Sequence, residues 1–143
     1  MKNHFLFWVF IFVLSSCNCL SFKNNKACTA CSIEIVKETD INLRNLTKKQ
    51  IEYFLCTIKS ECINNVEFQE YSNNILFKVI EAYPSDFVKV FSTSKIIDKN
   101  ILLLQISNPI KDYNTPVLIQ KIELSKGDNY SIAQIVKALK EIK

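Results

Sequence analysis

The sequence predicts an all-α protein of about six helices, arranged as an irregular bundle or as stacked helix hairpins. Three observations predict this class. From residue 48 onward apolar residues recur at helical spacing. Capping-box signatures stand at Thr47–Gln50 and Ser131–Gln134. The chain of 143 residues has one glycine, Gly127, and no hairpin signal.

The first element is not part of the predicted fold. Lys2 gives a short basic start, and Phe5 to Leu14 ("FLFWVFIFVL") form an apolar core too short to cross a bilayer as a helix. Residues 1–16 therefore read as an export signal, since a retained membrane helix needs roughly 20 apolar residues. Residues 17–31 ("CNCLSFKNNKACTAC") are polar and without periodicity, which predicts a tether ahead of a single helical domain over 32–143.

Within the domain, the Thr47 hydroxyl and the Gln50 side chain can satisfy first-turn amides. Ile51, Phe54, Leu55 and Ile58 then share one face, predicting a helix over about 48–59. Phe68, Ile75, Leu76, Val79 and Tyr83 line the next helix, with Glu67, Glu70, Asn74, Lys78 and Glu81 opposite and Pro84 as its stop. Ser85-Asp86 restarts a short helix carrying Phe87, Val88, Val90 and Phe91. The segment Ile96–Ile106 ("IIDKNILLLQI") fits either a buried helix or a single strand, and its helical neighbours favour helix. Thr115-Pro116 opens a helix through Leu118, Ile119 and Ile122, with proline in the first turn where its missing amide costs nothing. Ser131 is expected to cap the last helix, whose apolar stripe is Ile132, Ile135, Val136, Leu139 and Ile142.

Leu14-Ser15-Ser16-Cys17 closely resembles the bacterial lipobox, and the first twenty residues are similar to small Bacteroidetes-type lipoproteins. The resemblance implies that Cys17 is diacylated and becomes the mature N-terminus. Chains of that size, at ~0.8 kcal/mol per buried methylene, hold a protein stably at a membrane. It also implies a periplasm-facing location, because the stretch just after the cysteine, "NCLSFKNNK", contains no acidic residue. The competing reading is an ordinary secretory signal cut after Cys19. That leaves a soluble secreted chain with an even set of cysteines, Cys28, Cys31, Cys56 and Cys62.

An exported protein meets oxidising surroundings, so those four cysteines are expected to form disulfides. Cys56 lies near the end of one predicted helix and Cys62 just before the next, which favours Cys56–Cys62 and leaves Cys28–Cys31 by elimination. Cross-pairing that staples the tether to the first hairpin stays open among the three connectivities. Cys28-x-x-Cys31 also has redox or half-zinc spacing, but the polar tether lacks the strand-to-helix setting of a thioredoxin site, and Cys56-x₅-Cys62 is a poor second knuckle.

Composition narrows the chemistry. The only histidine, His4, lies in the export signal, so no mature His triad or His-containing zinc site can be built. One glycine excludes the Gly-rich phosphate loops. Without residues 1–16 the chain keeps 17 of its 18 basic side chains against all 14 acidic ones, a net charge of +3. Its lysines are scattered and read as a solvated surface, so no nucleic-acid partner is expected. Glu67 and Glu70 share a helix face with Lys78 and Glu81, a pattern of a solvated face more than of an acid–base pair.

The sequence thus predicts a noncatalytic lipoprotein without cofactor or metal. Its helical domain binds a protein partner in the cell envelope, as an inhibitor or immunity factor would. The alternatives are a secreted protein or an enzyme with an unrecognised carboxylate or tyrosine site. Tyr71, Tyr83, Phe87 and Phe91 are the expected binding patch; a deep pocket holding buried carboxylates would instead mark an enzyme.

Overall fold

The computed structural model describes residues 28–142. The expected signal segment 1–16, Cys17 and the tether as far as residue 27 lie outside the described residues. Seven α-helices follow in order: α1 (Ile33–Ile41), α2 (Lys48–Thr57), α3 (Val66–Ala82), α4 (Pro84–Thr93), α5 (Lys99–Ser107), α6 (Thr115–Glu123) and α7 (Asn129–Lys140). Short 3₁₀ turns at Leu43–Asn45 and Ser60–Cys62 flank α2, and no strand occurs among the described residues.

The helices stack in three layers. The pair α3–α4 is central, with α1 and α2 on one side and α5, α6 and α7 on the other. The central position of α3–α4 follows from their side chains. Phe68, Ile75, Leu76, Phe77, Val79 and Ile80 of α3, and Phe87, Val88, Val90 and Phe91 of α4, are all buried. Both helices therefore present apolar surface to neighbours on two sides, where a peripheral helix presents one stripe.

Most local signals act as expected. Thr47 Oγ1 accepts from Gln50 N at 3.3 Å while Gln50 Oε1 accepts from Thr47 N at 2.8 Å, so the capping box starts α2. Asn65 caps α3 through Phe68 N at 3.1 Å, and Asp98 caps α5 through Ile101 N at 3.2 Å. The ambiguous segment is thus a helix. Leu102 and Ile106 are fully buried and Ile101 and Leu103 partly so, between α3 and α7.

Two expectations are extended and one is corrected. A seventh helix, α1, precedes the predicted six: Ser32 caps it through Ile35 N at 3.4 Å, and it buries Ile35, Val36 and Thr39. Pro84 does not merely stop α3; it occupies the first turn of α4, where a proline needs no partner for a missing amide. Ser131 does not cap α7, because Asp128 Oδ1 accepts from Ser131 N at 2.9 Å and starts the helix three residues earlier. Aspartate outcompetes serine there because its ionised carboxylate forms the stronger, charge-assisted hydrogen bond.

The four cysteines are bonded, but not in the favoured pairing. The bonds are Cys28–Cys56 and Cys31–Cys62, with Cα separations of 5.8 and 5.5 Å. Beyond Thr57 the chain runs extended through Ile58 and Lys59, which carries Cys62 away from Cys56. The segment 28–31 lies alongside instead, with Cys31 N donating to Thr57 O at 2.9 Å. Cys31 adopts a left-handed backbone with φ 56°, and so turns the chain into Ser32 and α1. Residues 28–31 consequently belong to the folded unit and are not free tether.

Candidate protein-binding surface

The four residues expected to form a binding patch serve the interior. Phe87 and Phe91 have no exposed surface, with ring centroids 6.2 Å apart between α4 and its neighbours. Tyr83 is half-buried, and its hydroxyl donates to Leu43 O at 2.8 Å and accepts from Leu46 N at 3.1 Å, tying the turn before α2 to the α3–α4 corner. Tyr71 is half-buried and donates to Asp40 Oδ2 at 3.1 Å, while Lys78 Nζ meets Asp40 Oδ1 at 2.9 Å. Burial, then the bond to Asp40 and its negative charge, raise the Tyr71 phenol above its ordinary value. This trio links α1 to α3, so the four aromatics do not form one exposed patch.

Exposed apolar side chains flank α7 on the other outer layer. A cleft of about 520 Å³ between α5 and α7 is floored by Leu103 and Ala138 and lined by Leu104, Tyr130 and Gln134. Leu104 is 52% exposed and Tyr130 73%. A second groove, between α6 and α7, has Ile132, Ala133 and Val136 as its apolar floor and Lys137 and Lys140 at its edge. The two grooves flank one helix. The sequence carried part of this signal, since Ile132 and Val136 belong to the predicted stripe of α7. Leu104 was hidden in the continuous apolar run of α5, which has no polar side to point outward.

At the end of these grooves, residues 109–114 form a loop held from below by a buried side chain. Asn73 Nδ2 donates to Gln105 O at 2.9 Å, and Asn73 Oδ1 accepts from Ile110 N at 3.1 Å. Tyr113 stacks on Phe77 at 4.0 Å, and its burial raises the phenol above its ordinary value. Gln105 Nε2 also bonds to Gln69 Oε1, and Gln69 Nε2 to Cys62 O, so a chain of amides, buried at Asn73 and Gln105 and half-buried at Gln69, runs from the disulfide turn to the loop.

The carboxylates that line the clefts, Glu67, Glu70, Asp112, Glu123 and Glu141, are all exposed. Glu67 and Glu70 stand beside Lys111 on an open face. Among the described residues no three His, Cys, Asp or Glu side chains are grouped to hold a metal ion, and no helix is long and apolar enough to cross a membrane. The two disulfides are compatible with an exported protein. No family model, curated protein or solved structure matches this chain.

Proposed function

We propose that the chain is an exported, noncatalytic binding protein, held at the periplasmic face of a membrane by lipid on Cys17. Its helical domain docks a protein partner over the α5–α7 groove, as an envelope inhibitor or immunity factor would. The observation that carries the binding reading is the pairing of Leu104 and Tyr130, both largely exposed, over an apolar floor of Leu103 and Ala138. Tyrosine supplies a rigid, amphipathic contact, and interfaces concentrate their energy in such residues.

A photo-crosslinker placed at position 130 in intact cells tests the groove. One protein-linked product is expected, lost on Leu104→Asp and not produced from Leu124, which is 77% exposed elsewhere on the surface. No product from position 130, or the same product from both positions, overturns this site.

The anchor rests on Leu14-Ser15-Ser16-Cys17 and on the pairing of the cysteines. Cys28, Cys31, Cys56 and Cys62 bond among themselves, so none of them is available to Cys17. The same pairing suits the second reading, a soluble chain cut after Cys19. Mass spectrometry of the mature N-terminus separates the two: acylated Cys17 supports the anchor, and an unmodified start at Leu20 overturns it.

A further inference from the structure

The disulfides collect one end of the molecule around the point where the chain enters it. Cys28 and Cys31 hold the start of α1 against the end of α2 and the turn at Cys62. Asn65 N donates to Cys62 O at 2.9 Å, which adds the start of α3. Lys59 Nζ bonds to Ile96 O, which adds the segment after α4. Three apolar side chains stand exposed at this end: Ile63 at 53%, Val66 at 66% and Ile96 at 41%. Each alone is ordinary on a protein surface. Their place is not, because residues 18–27 are all that separates Cys17 from this end, a reach of at most about 40 Å.

We propose that this disulfide-bonded end lies against the bilayer, with Ile63, Val66 and Ile96 seated among the lipid headgroups. The proposal rests on the reading of Cys17 as lipid-modified. A short tether keeps the local concentration of this end at the membrane high, so a patch too small to bind lipid unaided can remain in contact. Charge does not oppose the contact, since in the segments 59–67 and 95–99 Lys59, Lys95 and Lys99 balance Glu61, Glu67 and Asp98. The patch would orient the domain, while the lipid on Cys17 supplies the retention.

The mature chain offers a clean probe, because its only tryptophan, Trp8, lies in the expected signal segment. Ile63→Trp and Val66→Trp each place one tryptophan at the proposed contact. Ile41→Trp places one at the far end of α1, on a side chain 71% exposed. The lipidated full-length variants are reconstituted into phosphatidylethanolamine–phosphatidylglycerol vesicles with brominated acyl chains, and flotation and tryptophan emission are read together. Emission from the Ile63→Trp and Val66→Trp proteins is expected to be quenched at least about twofold more than from Ile41→Trp. Equal quenching in protein that floats overturns this orientation and leaves the anchor standing. Protein that does not float overturns both. A crosslinker at position 66 that captures a protein in cells, and no lipid, also overturns it and makes this end a protein interface.

Discussion

Asp128 shows how one carboxylate sets a helix boundary. It accepts hydrogen bonds from the Ser131 side chain and then from its backbone amide, and these hold its pKa below the ordinary aspartate value. A depressed folded-state value means that the ionised form is the stabilising one. Its contribution is complete above the unfolded-state value and is lost as pH falls through the lower folded one. Asp128→Asn keeps an acceptor for the amide but removes the titration. Melting temperatures followed from about pH 5 to about pH 2.5 should therefore fall less steeply in Asp128→Asn than in the parent. Parallel curves would show that this cap carries no acid dependence. The sequence held this cap in plain view, yet Ser131 with Gln134 made the more familiar pattern. Capping-box spacing marks a helix start, but it does not rank two competing acceptors three residues apart. The burial of Phe87 and Phe91 was less legible still. A short apolar helix shows which residues share a face, and only the packing of α2, α3, α6 and α7 around α4 decides that no face is left outside.

Elements longer than two turns with a clear polar side were readable. α2 and α3 begin and end within about two residues of expectation, because the Thr47 box and Asn65 fix their starts and a long stripe fixes their inner faces. α1 escaped because its nine residues bury only Ile35, Val36 and Thr39, too few to set a period, and because the adjoining cysteine segment reads as tether. The loop between α6 and α7 carries another constraint. A β-carbon on Gly127 would overlap Val88 Cγ1, so the loop backbone lies directly on α4. Gly127→Ala is expected to destabilise the protein by about 1–3 kcal/mol through overpacking, with most of the loss restored by Val88→Ala in the same chain. Urea denaturation of the two single variants and the double variant measures this coupling. Simple additivity would remove the loop from contact with α4.

At the scale of the molecule, two crossed bonds join sequence separations of 28 and 31 residues. Chain-entropy estimates put each such closure at about 3–4 kcal/mol, and overlapping closures share part of that gain. Replacing Cys31 and Cys62 together by serine should lower the melting temperature clearly, and nonreducing peptide mapping of the parent should recover Cys28 with Cys56 and Cys31 with Cys62. A Cys56–Cys62 peptide would refute this topology. The all-α class was legible throughout the chain, since a single glycine, capped starts and helical stripes all agree. The pairing was not, because spacing brings Cys56 near Cys62 along the chain but says nothing of the extended turn at Ile58–Lys59 that separates them.

The same two bonds decide how the fold would bear tension. A pull on the chain ahead of Cys28 does not peel α1 away turn by turn. The load crosses covalently to Cys56, one residue from the end of α2, while α1 sits slack inside the closed loop. Cys31–Cys62 carries a share of the strain into the turn before α3, and both receiving cysteines are wholly buried. Traction at the N-terminus is thus delivered to α2 and the start of α3 as shear, and rupture would require many contacts to fail at once instead of one after another.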